Sequence, residues 1–303
     1  MLDEAGLNPV RMSEHHEEAL LEEVEDAVAI LVRTAEIPES VIRKGKNLKV
    51  IGRHGVGVDN IDMETATELG IVVVNAPESN VESVAEHTIG FMIAAGKKML
   101  KADQAQREGR YEVRNEYIGT ELKEKTLGTV GIGRIGSEVV KKAQAAFDMD
   151  VQAYDPYLTQ DDMPEGVELV EDLNELLATS DFVSIHCPLT EGTRGLIGAE
   201  ELSQMNSSAF LINVARGGIV KEDALIEALK EGTIEGAATD VFEEEPPSKD
   251  NPLFDILDIV VTPHMASHTH TSMLKMATHP AEGIIDVLEG RKPKFPVNPE
   301  VLE

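Results

Sequence analysis

The chain has a single cysteine, few basic residues and no long apolar run. The one cysteine among 303 residues, Cys187, excludes an internal disulfide. No apolar run reaches the ~18–20 residues that would span a bilayer, and the first residues carry no signal-peptide pattern. The length allows two domains of ordinary size, and 42% of the residues are hydrophobic. These features predict a soluble, cytoplasmic protein with no membrane partner.

The shortage of basic residues gives the chain an unusual charge. There are 27 basic and 56 acidic residues, so the net charge is -29. The acidic residues are spread along the chain rather than gathered in a tail, and nucleic acid and anionic membranes are therefore excluded as expected partners. Because salt screens such self-repulsion, one hypothesis is a saline cytoplasm. The alternative is a protein that is merely acidic.

A glycine-rich stretch carries the clearest motif in the chain. Gly131, Gly133 and Gly136 have the G-x-G-x-x-G spacing, between a predicted strand at 127–130 and a predicted helix at 137–146. The first glycine permits a tight turn, the second lets a pyrophosphate approach the backbone, and the third lets the helix pack on the strand. N–H groups at the helix start would face the phosphates. Glycine clusters also form ordinary turns, but the flanking strand and helix favour a dinucleotide site.

An acidic residue extends this dinucleotide pattern. Asp155 follows the next predicted strand, 150–154, and lies roughly 20 positions beyond the last glycine. A carboxylate at this place accepts hydrogen bonds from the adenosine ribose and repels a 2′-phosphate. The expected cofactor is therefore NAD rather than NADP.

Strands and helices alternate along the chain, which predicts parallel sheets with helices on both faces. Apolar runs predict strands at 27–32, 48–51, 71–74, 127–130, 150–154, 167–170, 182–186, 209–213, 236–241 and 259–262, with 8–12 as a further candidate. Helical spacing predicts helices at 14–26, 38–44, 62–69, 137–146, 171–178, 199–205 and 221–230. A long apolar helix is expected at about 81–108, crossing between domains or facing another subunit. The last helix, 269–288, is expected to break or restart at Pro280.

Three charged or titratable residues follow later strands of this series. Arg216 precedes a Gly-Gly turn, where a guanidinium suits a carboxylate. Glu245 is the last of three glutamates before Pro246, and His264 follows the final strand, where an imidazole can transfer a proton. Ligands lie at the carboxyl ends of parallel strands. Each residue alone also has an ordinary explanation: a surface salt bridge, a solvated acidic turn, or one of nine histidines.

Together these motifs resemble those of the D-isomer-specific 2-hydroxyacid dehydrogenases, and most closely of their phosphoglycerate dehydrogenase branch. The matching segments, between about Val28 and Val287, are 52–60 (GRHGVGVDN), 75–80 (NAPESN), 84–87 (VAEH), 131–136 (GIGRIG), 213–217 (NVARG), 240–246 (DVFEEEP) and 262–264 (TPH). The resemblance implies an α/β fold. A Rossmann-type NAD-binding domain would occupy 83–270, and a flavodoxin-like substrate-binding domain 1–82 with 271–303. The active site would lie in the interdomain cleft.

The resemblance also implies roles for individual residues. Arg216 would bind the substrate carboxylate and polarise the carbonyl. Glu245 would pair with His264, which would be the general acid for carbonyl reduction and the base for the reverse. Asp240 would contact the nicotinamide amide, and no metal is expected. The other implied cofactor positions are Gly131, Gly133, Arg134, Ile135, Gly136, Asp155, Pro156, Cys187, Pro188, Thr193, Val214, Ala215, Ala266 and Ser267.

The implied substrate contacts lie in an earlier segment of the chain. They are Arg53, His54, Gly55, Val56 and Gly57, together with Asn80. In the family, backbone N–H groups of this loop bind the substrate carboxylate, and a small residue often stands at the place of His54. Two basic side chains here would suit a substrate with a second anionic group, such as a phosphate or sulfonate. Alternatively, His54 points into solvent.

Both ends of the chain depart from the family pattern. The family's first strand and helix have no counterpart here, so a neighbouring strand edge is expected to lack its partner. The regulatory domains that follow in longer phosphoglycerate dehydrogenases also have no counterpart, so feedback by serine is not expected.

The expected function is NAD-dependent interconversion of a D-2-hydroxy acid and its 2-oxo acid by a homodimer joined through the long helix from Val84. 3-Phosphoglycerate or a similar anionic acid is favoured, with glyoxylate, hydroxypyruvate or sulfolactate-type substrates as alternatives. A formate-dehydrogenase-like reaction is disfavoured, because hydride loss from formate needs no acid–base pair. A non-catalytic, NAD-sensing binding protein is the alternative from another class.

Overall fold

The computed structural model describes residues 1–14 and 16–303, which form two compact units. One unit comprises Met1–Asn80 and His268–Glu303, and the other comprises Val81–Ser267. The domain limits predicted from the sequence are 82/83 and 270/271. Within the described ranges, no helix combines the length and apolar character needed to cross a membrane.

Helices and strands alternate through both units. The first unit opens with α1 (Glu17–Glu23), β1 (Ala29–Val32), α2 (Glu39–Lys44), β2 (Val50–Arg53), α3 (Met63–Glu68) and β3 (Val72–Val74). The second contains α4 (Val81–Gly96), α5 (Met99–Arg107), β4 (Thr126–Val130), α6 (Arg134–Phe147), β5 (Asp150–Tyr154), β6 (Val167–Leu169), α7 (Leu173–Thr179), β7 (Phe182–Ile185), α8 (Ala199–Gln204), β8 (Phe210–Asn213), α9 (Glu222–Glu231), β9 (Gly236–Thr239) and β10 (Ile259–Val261). Helix α10 (His270–Leu288) belongs to the first unit.

The first unit is built on a parallel sheet with the order β1-β2-β3. Because side chains alternate across a strand, the sheet has two apolar faces. Ile51 and Val73 pack with the buried residues of α1 to α3 on one face. Val50, Val72 and Val74 pack with Ile284 of α10 on the other. Strand β1 lies at one edge of this sheet.

The second unit is built on a seven-stranded parallel sheet with the order β10-β9-β8-β7-β4-β5-β6. Leu127, Phe182 and Phe210 face a core shared with α4 and α6, whereas Val183 and Leu211 face a core shared with α7 to α9. The strand order runs outward from the neighbouring pair β4 and β7. In such sheets, ligands bind beyond the carboxyl ends of the strands where the order reverses. The predicted α/β fold with parallel sheets is confirmed.

The long helix predicted at about 81–108 is two helices, so this prediction was wrong. Helix α4 ends at Gly96, whose carbonyl oxygen accepts a hydrogen bond of 2.7 Å from the Thr120 backbone N–H. Lys98 then adopts a left-handed conformation, with φ of 54°. The loop that contains Thr120 therefore caps the helix at Gly96, although apolar residues continue beyond it in the sequence.

Two further elements differ from the sequence prediction. Pro280 is buried inside α10, which continues to Leu288 without a break. The lost backbone hydrogen bond costs roughly 3 kcal/mol, and burial of neighbours such as Met276 and Ile284 offsets it at ~1.5–3 kcal/mol each. The predicted elements near the start of the chain also differ. Residues 8–12 are largely exposed and form no strand. The helix predicted at 14–26 covers Glu17–Glu23, and His15 lies outside the described residues.

Candidate active site

The glycine turn connects β4 to α6 beside the end of β7. Gly131 has φ of +92°, and a Cβ there would lie 2.8 Å from the Cys187 nitrogen. A Cβ on Gly136 would lie 2.5 Å from the Gly131 carbonyl oxygen. Gly133 is different, because no heavy atom lies within 4 Å of its Cβ position. It begins α6 without a side-chain cap, so the open space beside Arg134 and Ile135 fits a phosphate bound to helix N–H groups.

Asp155 lies at the end of β5, directly beside this turn. Its carboxylate accepts hydrogen bonds from the Ile132 N–H of the turn at 3.3 Å and from the Tyr157 N–H at 3.1 Å. Pro156, between Asp155 and Tyr157, is exposed. Burial, together with the charge of Asp155, raises the pKa of the Cys187 thiol to about 11. Cys187 therefore stays a thiol at neutral pH.

The loop after β7 is closed by Thr193. Its hydroxyl donates to the Pro188 carbonyl oxygen at 2.6 Å and accepts the Thr190 N–H at 2.8 Å. These bonds hold Pro188 and Thr193 together beyond the carboxyl end of β7. The glycine turn lies at the same edge of the sheet, because β4 and β7 are parallel neighbours. Both belong to the expected cofactor positions.

Arg216 is held by the turn that follows β8. Buried Asn213 donates to the Arg216 carbonyl oxygen at 2.9 Å and accepts the Ala215 N–H at 3.1 Å. The guanidinium donates to the Ala215 carbonyl oxygen at 2.8 Å. Asn213 thus fixes the turn formed by Val214, Ala215 and Arg216, a role that the sequence analysis did not assign.

Gly217 joins this turn to the segment after β9. A Cβ at Gly217 would overlap the Phe242 carbonyl and lie 2.6 Å from the Glu243 nitrogen. The two backbones therefore meet directly, and only glycine fits. This contact sets the turn that carries Arg216 against the segment that carries Glu245.

His264 and Glu245 form the most directly coupled pair of the site. The Nδ1 atom of His264 lies 2.6 Å from Oε2 of Glu245, and the side chains are 47% and 35% exposed. Oε1 of Glu245 accepts the Phe242 N–H at 3.1 Å. Burial raises the pKa of Glu245, but the hydrogen bonds from His264 and Phe242 and the charges of His264 and Arg216 outweigh it and leave that pKa lowered. The carboxylate is therefore ionised at neutral pH, and Nε2 of His264 is left on the opposite side of the ring.

Asp240 supports the loop that carries His264. The side chain is 1% exposed, and its carboxylate accepts the Met265 N–H at 2.8 Å and the Ala266 N–H at 2.7 Å. The Asp240 carbonyl oxygen accepts the His264 N–H at 2.8 Å. Asp240 thus holds this loop, and half-buried Ser267 follows it.

The expected substrate loop lies in the first unit. Arg53 ends β2, and its Nε donates to Asn60 at 3.0 Å. Gly55 has φ of +136°, and its carbonyl oxygen accepts the Ala76 N–H at 2.9 Å. Asn75 donates to the Val56 carbonyl oxygen at 2.7 Å, just before Gly57. Asn80, the other expected substrate residue, ends the first segment of this unit.

Two basic residues that the sequence analysis did not single out lie in the same unit. Nη2 of Arg33 lies 3.0 Å from Nε2 of His268. His54 is half-buried, and burial lowers its pKa, as do the nearby charges of Arg33, Arg53 and His268. Four basic groups are therefore gathered in a chain whose net charge is -29.

Comparison with known proteins identifies the family. Residues 89–266 match the family described as D-isomer specific 2-hydroxyacid dehydrogenase, NAD binding domain. The chain belongs to the D-isomer-specific 2-hydroxyacid dehydrogenases. The predicted resemblance is confirmed, and the matched domain confirms NAD as the cofactor type.

Relatives of this dehydrogenase family resemble the chain over most of its length. D-3-phosphoglycerate dehydrogenase from Methanocaldococcus jannaschii is 48% identical over 283 residues, which cover 93% of this chain and 53% of that protein. This chain thus spans about half the length of the curated relatives it matches.

Two solved structures resemble the chain over most of its length. A protein from Thermus thermophilus has a TM-score of 0.90 and 36% identity, covering 98% of this chain and 94% of that one. The D-lactate dehydrogenase from Aquifex aeolicus, complexed with NAD and lactic acid, has a TM-score of 0.79 and 30% identity. It covers 92% of this chain and 89% of its own.

Proposed function

We propose that the protein is an NAD-dependent dehydrogenase that interconverts a D-2-hydroxy acid and its 2-oxo acid. The observation that carries this proposal is the 2.6 Å contact between His264 Nδ1 and Glu245 Oε2. The pair follows strands β9 and β10 of the sheet whose β4 ends in the glycine turn. An ionised carboxylate behind an imidazole is the arrangement expected of a general acid–base pair.

Each side chain then has one task. Glu245 holds the imidazole through Nδ1, so Nε2 of His264 would deliver a proton to the carbonyl oxygen during reduction and accept it from the hydroxyl during oxidation. The fixed charge of Arg216 would hold the substrate carboxylate and stabilise negative charge on that oxygen. Both groups are held in advance by their backbone turns, so little reorganisation is needed during the reaction.

The residues of the second unit fit NAD. Gly131, Gly133 and Gly136 would leave room for the pyrophosphate at the start of α6, and Asp155 would accept hydrogen bonds from the ribose. Bound NAD would supply the nicotinamide carbon that takes up or releases the hydride. The Asp155 carboxylate would disfavour NADP by repelling its 2′-phosphate.

For the substrate, we propose an acid with a second anionic group, such as 3-phosphoglycerate. The support is the gathering of Arg33, Arg53, His54 and His268 in the unit expected to bind substrate. Guanidinium and imidazolium groups are strong partners for phosphate and sulfonate oxygens. Glyoxylate, hydroxypyruvate and sulfolactate-type acids remain alternatives.

A spectrophotometric panel tests both levels of this proposal. Oxidation of NADH at 340 nm would be followed with glyoxylate, hydroxypyruvate, phosphohydroxypyruvate and sulfopyruvate. We expect turnover of at least one acid, and its loss in His264→Gln. No turnover of any acid would contradict the dehydrogenase and favour a binding protein. In Arg53→Ala and His54→Ala, kcat/KM should fall about tenfold or more for the phosphorylated or sulfonated acid relative to glyoxylate, and an unchanged ratio would contradict the substrate class.

We also propose that the protein is a homodimer. Half of the residues of helix α4 are buried within its own unit, and we place the contact with a second copy on α5 and the segment after it. Apolar residues are exposed there: Met99 at 53%, Leu100 at 48%, Tyr111 at 63% and Ile118 at 75%. Light scattering coupled to gel filtration should give twice the chain mass of 32.9 kDa, and Ile118→Lys should shift it toward the monomer. A monomeric native protein would contradict this proposal.

A further inference from the structure

Helix α4 places His87 beside the loop that carries His264. The Nε2 atom of His87 lies 3.2 Å from the Thr262 hydroxyl oxygen, and this hydroxyl lies 2.5 Å from Oδ1 of Asp240. A carboxylate only accepts hydrogen bonds, so the hydroxyl donates to Asp240. The same hydroxyl then accepts from His87, which fixes the imidazole as the tautomer that carries its hydrogen on Nε2.

The far end of this hydrogen-bonded series is the backbone around His264. The carboxylate of Asp240 accepts the N–H groups of Met265 and Ala266, and its carbonyl oxygen accepts the His264 N–H. His264 itself has a left-handed backbone with φ of 49°, a conformation that is uncommon for a non-glycine residue. The three bonds to Asp240 therefore fix the backbone that carries His264, while Glu245 holds the imidazole itself.

His87 is held in its donor state by its surroundings. Its side chain is 22% exposed, and its ring meets Phe91 edge to face with centroids 4.3 Å apart. Burial lowers the pKa of His87 more than the charge of Asp240 raises it, so the imidazole is neutral at pH 7. Loss of this donor would leave one lone pair of the Thr262 hydroxyl without its present partner and loosen the contact to Asp240.

We propose that His87 is a positioning residue for the loop of His264. Through Thr262 it orients the Asp240 carboxylate, and Asp240 in turn holds the backbone N–H groups of His264, Met265 and Ala266. This inference rests on the proposed dehydrogenase function, in which His264 transfers the proton. His87 acts through two intermediate residues.

Three variants separate the hydrogen bond from mere packing. His87→Leu fills the site without a donor, His87→Gln restores an N–H donor, and Phe91→Leu removes the ring contact but leaves the hydrogen bond. We expect kcat to fall about tenfold in His87→Leu, with KM for NADH within about twofold, because a misplacement on the order of 1 Å can cost as much as 100-fold. His87→Gln should recover most of the loss, and Phe91→Leu should keep most of the native kcat.

A double-variant comparison adds a readout of coupling. Thr262→Val breaks the same series one step further on, so the combination with His87→Leu should be no slower than the slower single variant. If the kcat losses of the two single variants multiplied in the double variant, His87 and Thr262 would act independently, and the hydrogen-bonded series would be overturned. Equal losses in His87→Gln and His87→Leu, with both proteins melting as the native protein does, would overturn the role of the hydrogen bond.

Hydrogen exchange tests the inference without turnover. The amides of Met265 and Ala266 should exchange about tenfold faster in His87→Leu than in the native protein, whereas Phe91→Leu should leave them protected. If the native protein turned over no acid, the dehydrogenase proposal would fail while this measurement still tested the series. If the native protein turned over and His87→Leu kept both its kcat and its exchange rates, the inference would be overturned.

Discussion

Gly217→Ala is the sharpest single test of how Arg216 is positioned. The added Cβ would overlap the Phe242 carbonyl and lie 2.6 Å from the Glu243 nitrogen. The nearest atom, the Phe242 carbonyl oxygen, would lie 1.8 Å from this Cβ, whereas ordinary contacts of this kind are about 3.3–3.6 Å, so the two backbones must separate by roughly 1.5–1.8 Å. Arg216 precedes this residue, and a displacement on the order of 1 Å can lower kcat/KM by about 100-fold.

The same separation has a measurable effect on stability. Overpacking of this type costs about 1–3 kcal/mol. One kcal/mol shifts Tm by about 2–4 °C in a unit of 150–250 residues. We therefore expect a Tm lowered by roughly 2–12 °C by scanning fluorimetry, with kcat/KM measured on the best acid of the panel.

The adjacent glycine provides the matched control. A Cβ on Gly218 would meet Arg194 Nη1 at 3.3 Å and Leu189 at 3.6 Å, contacts that small side-chain shifts relieve. Gly218→Ala should therefore keep kcat/KM and Tm close to the native values. If Gly217→Ala were equally mild, the idea that backbone contact with Phe242 positions Arg216 would be refuted.

Three other expectations follow from charge. Asp155→Ala should improve kcat/KM with NADPH relative to NADH by about tenfold, because unit charges 4 Å apart repel by ~1–4 kcal/mol between bulk water and a protein surface; an unchanged ratio would contradict the assigned contact. Binding of a sulfonated 2-hydroxy acid, measured by calorimetry, should tighten from pH 8 to pH 6. The pKa of His54 is lowered in the free protein, a bound anion raises it, and binding then takes up a proton. A sulfonate does not titrate in this range, so His54→Gln should flatten the dependence, and a native profile that is already flat would refute it. The net charge of -29 predicts a Tm that rises between 0.1 and about 2 M KCl, and a flat series would leave the acidity without a saline explanation.

Much of the candidate site follows from local sequence. The glycine turn, Asp155 and Arg216 each follow a largely buried strand, and parallel strands bring their carboxyl ends to one edge. Glu245 and His264 are 19 positions apart and follow neighbouring strands, so their contact also follows from the order of the strands. These parts of the site can be predicted once the strands are assigned, because parallel sheets are regular.

Other contacts depend on folding that no local pattern encodes. Arg33 and His268 are 235 positions apart, and His87 and Thr262 are 175 positions apart. Local sequence places each residue on an element, and the tertiary fold decides which side chains meet across elements. The division of α4 from α5 has the same origin, because the partner of the Gly96 carbonyl comes from a loop that starts well beyond the helix.

The place of α10 in the first unit has a consequence for synthesis of the chain. Val50, Val72 and Val74 present one face of the first sheet, and Ile284 of α10 covers it. About 200 residues separate β3 from α10, which ribosomes take about 10–40 s to add at ~5–20 residues per second. During that interval the first sheet made is the last to be covered, and its apolar face is open to other chains and to chaperones. The nascent protein is therefore most prone to aggregation through its earliest strands, although the finished protein buries them.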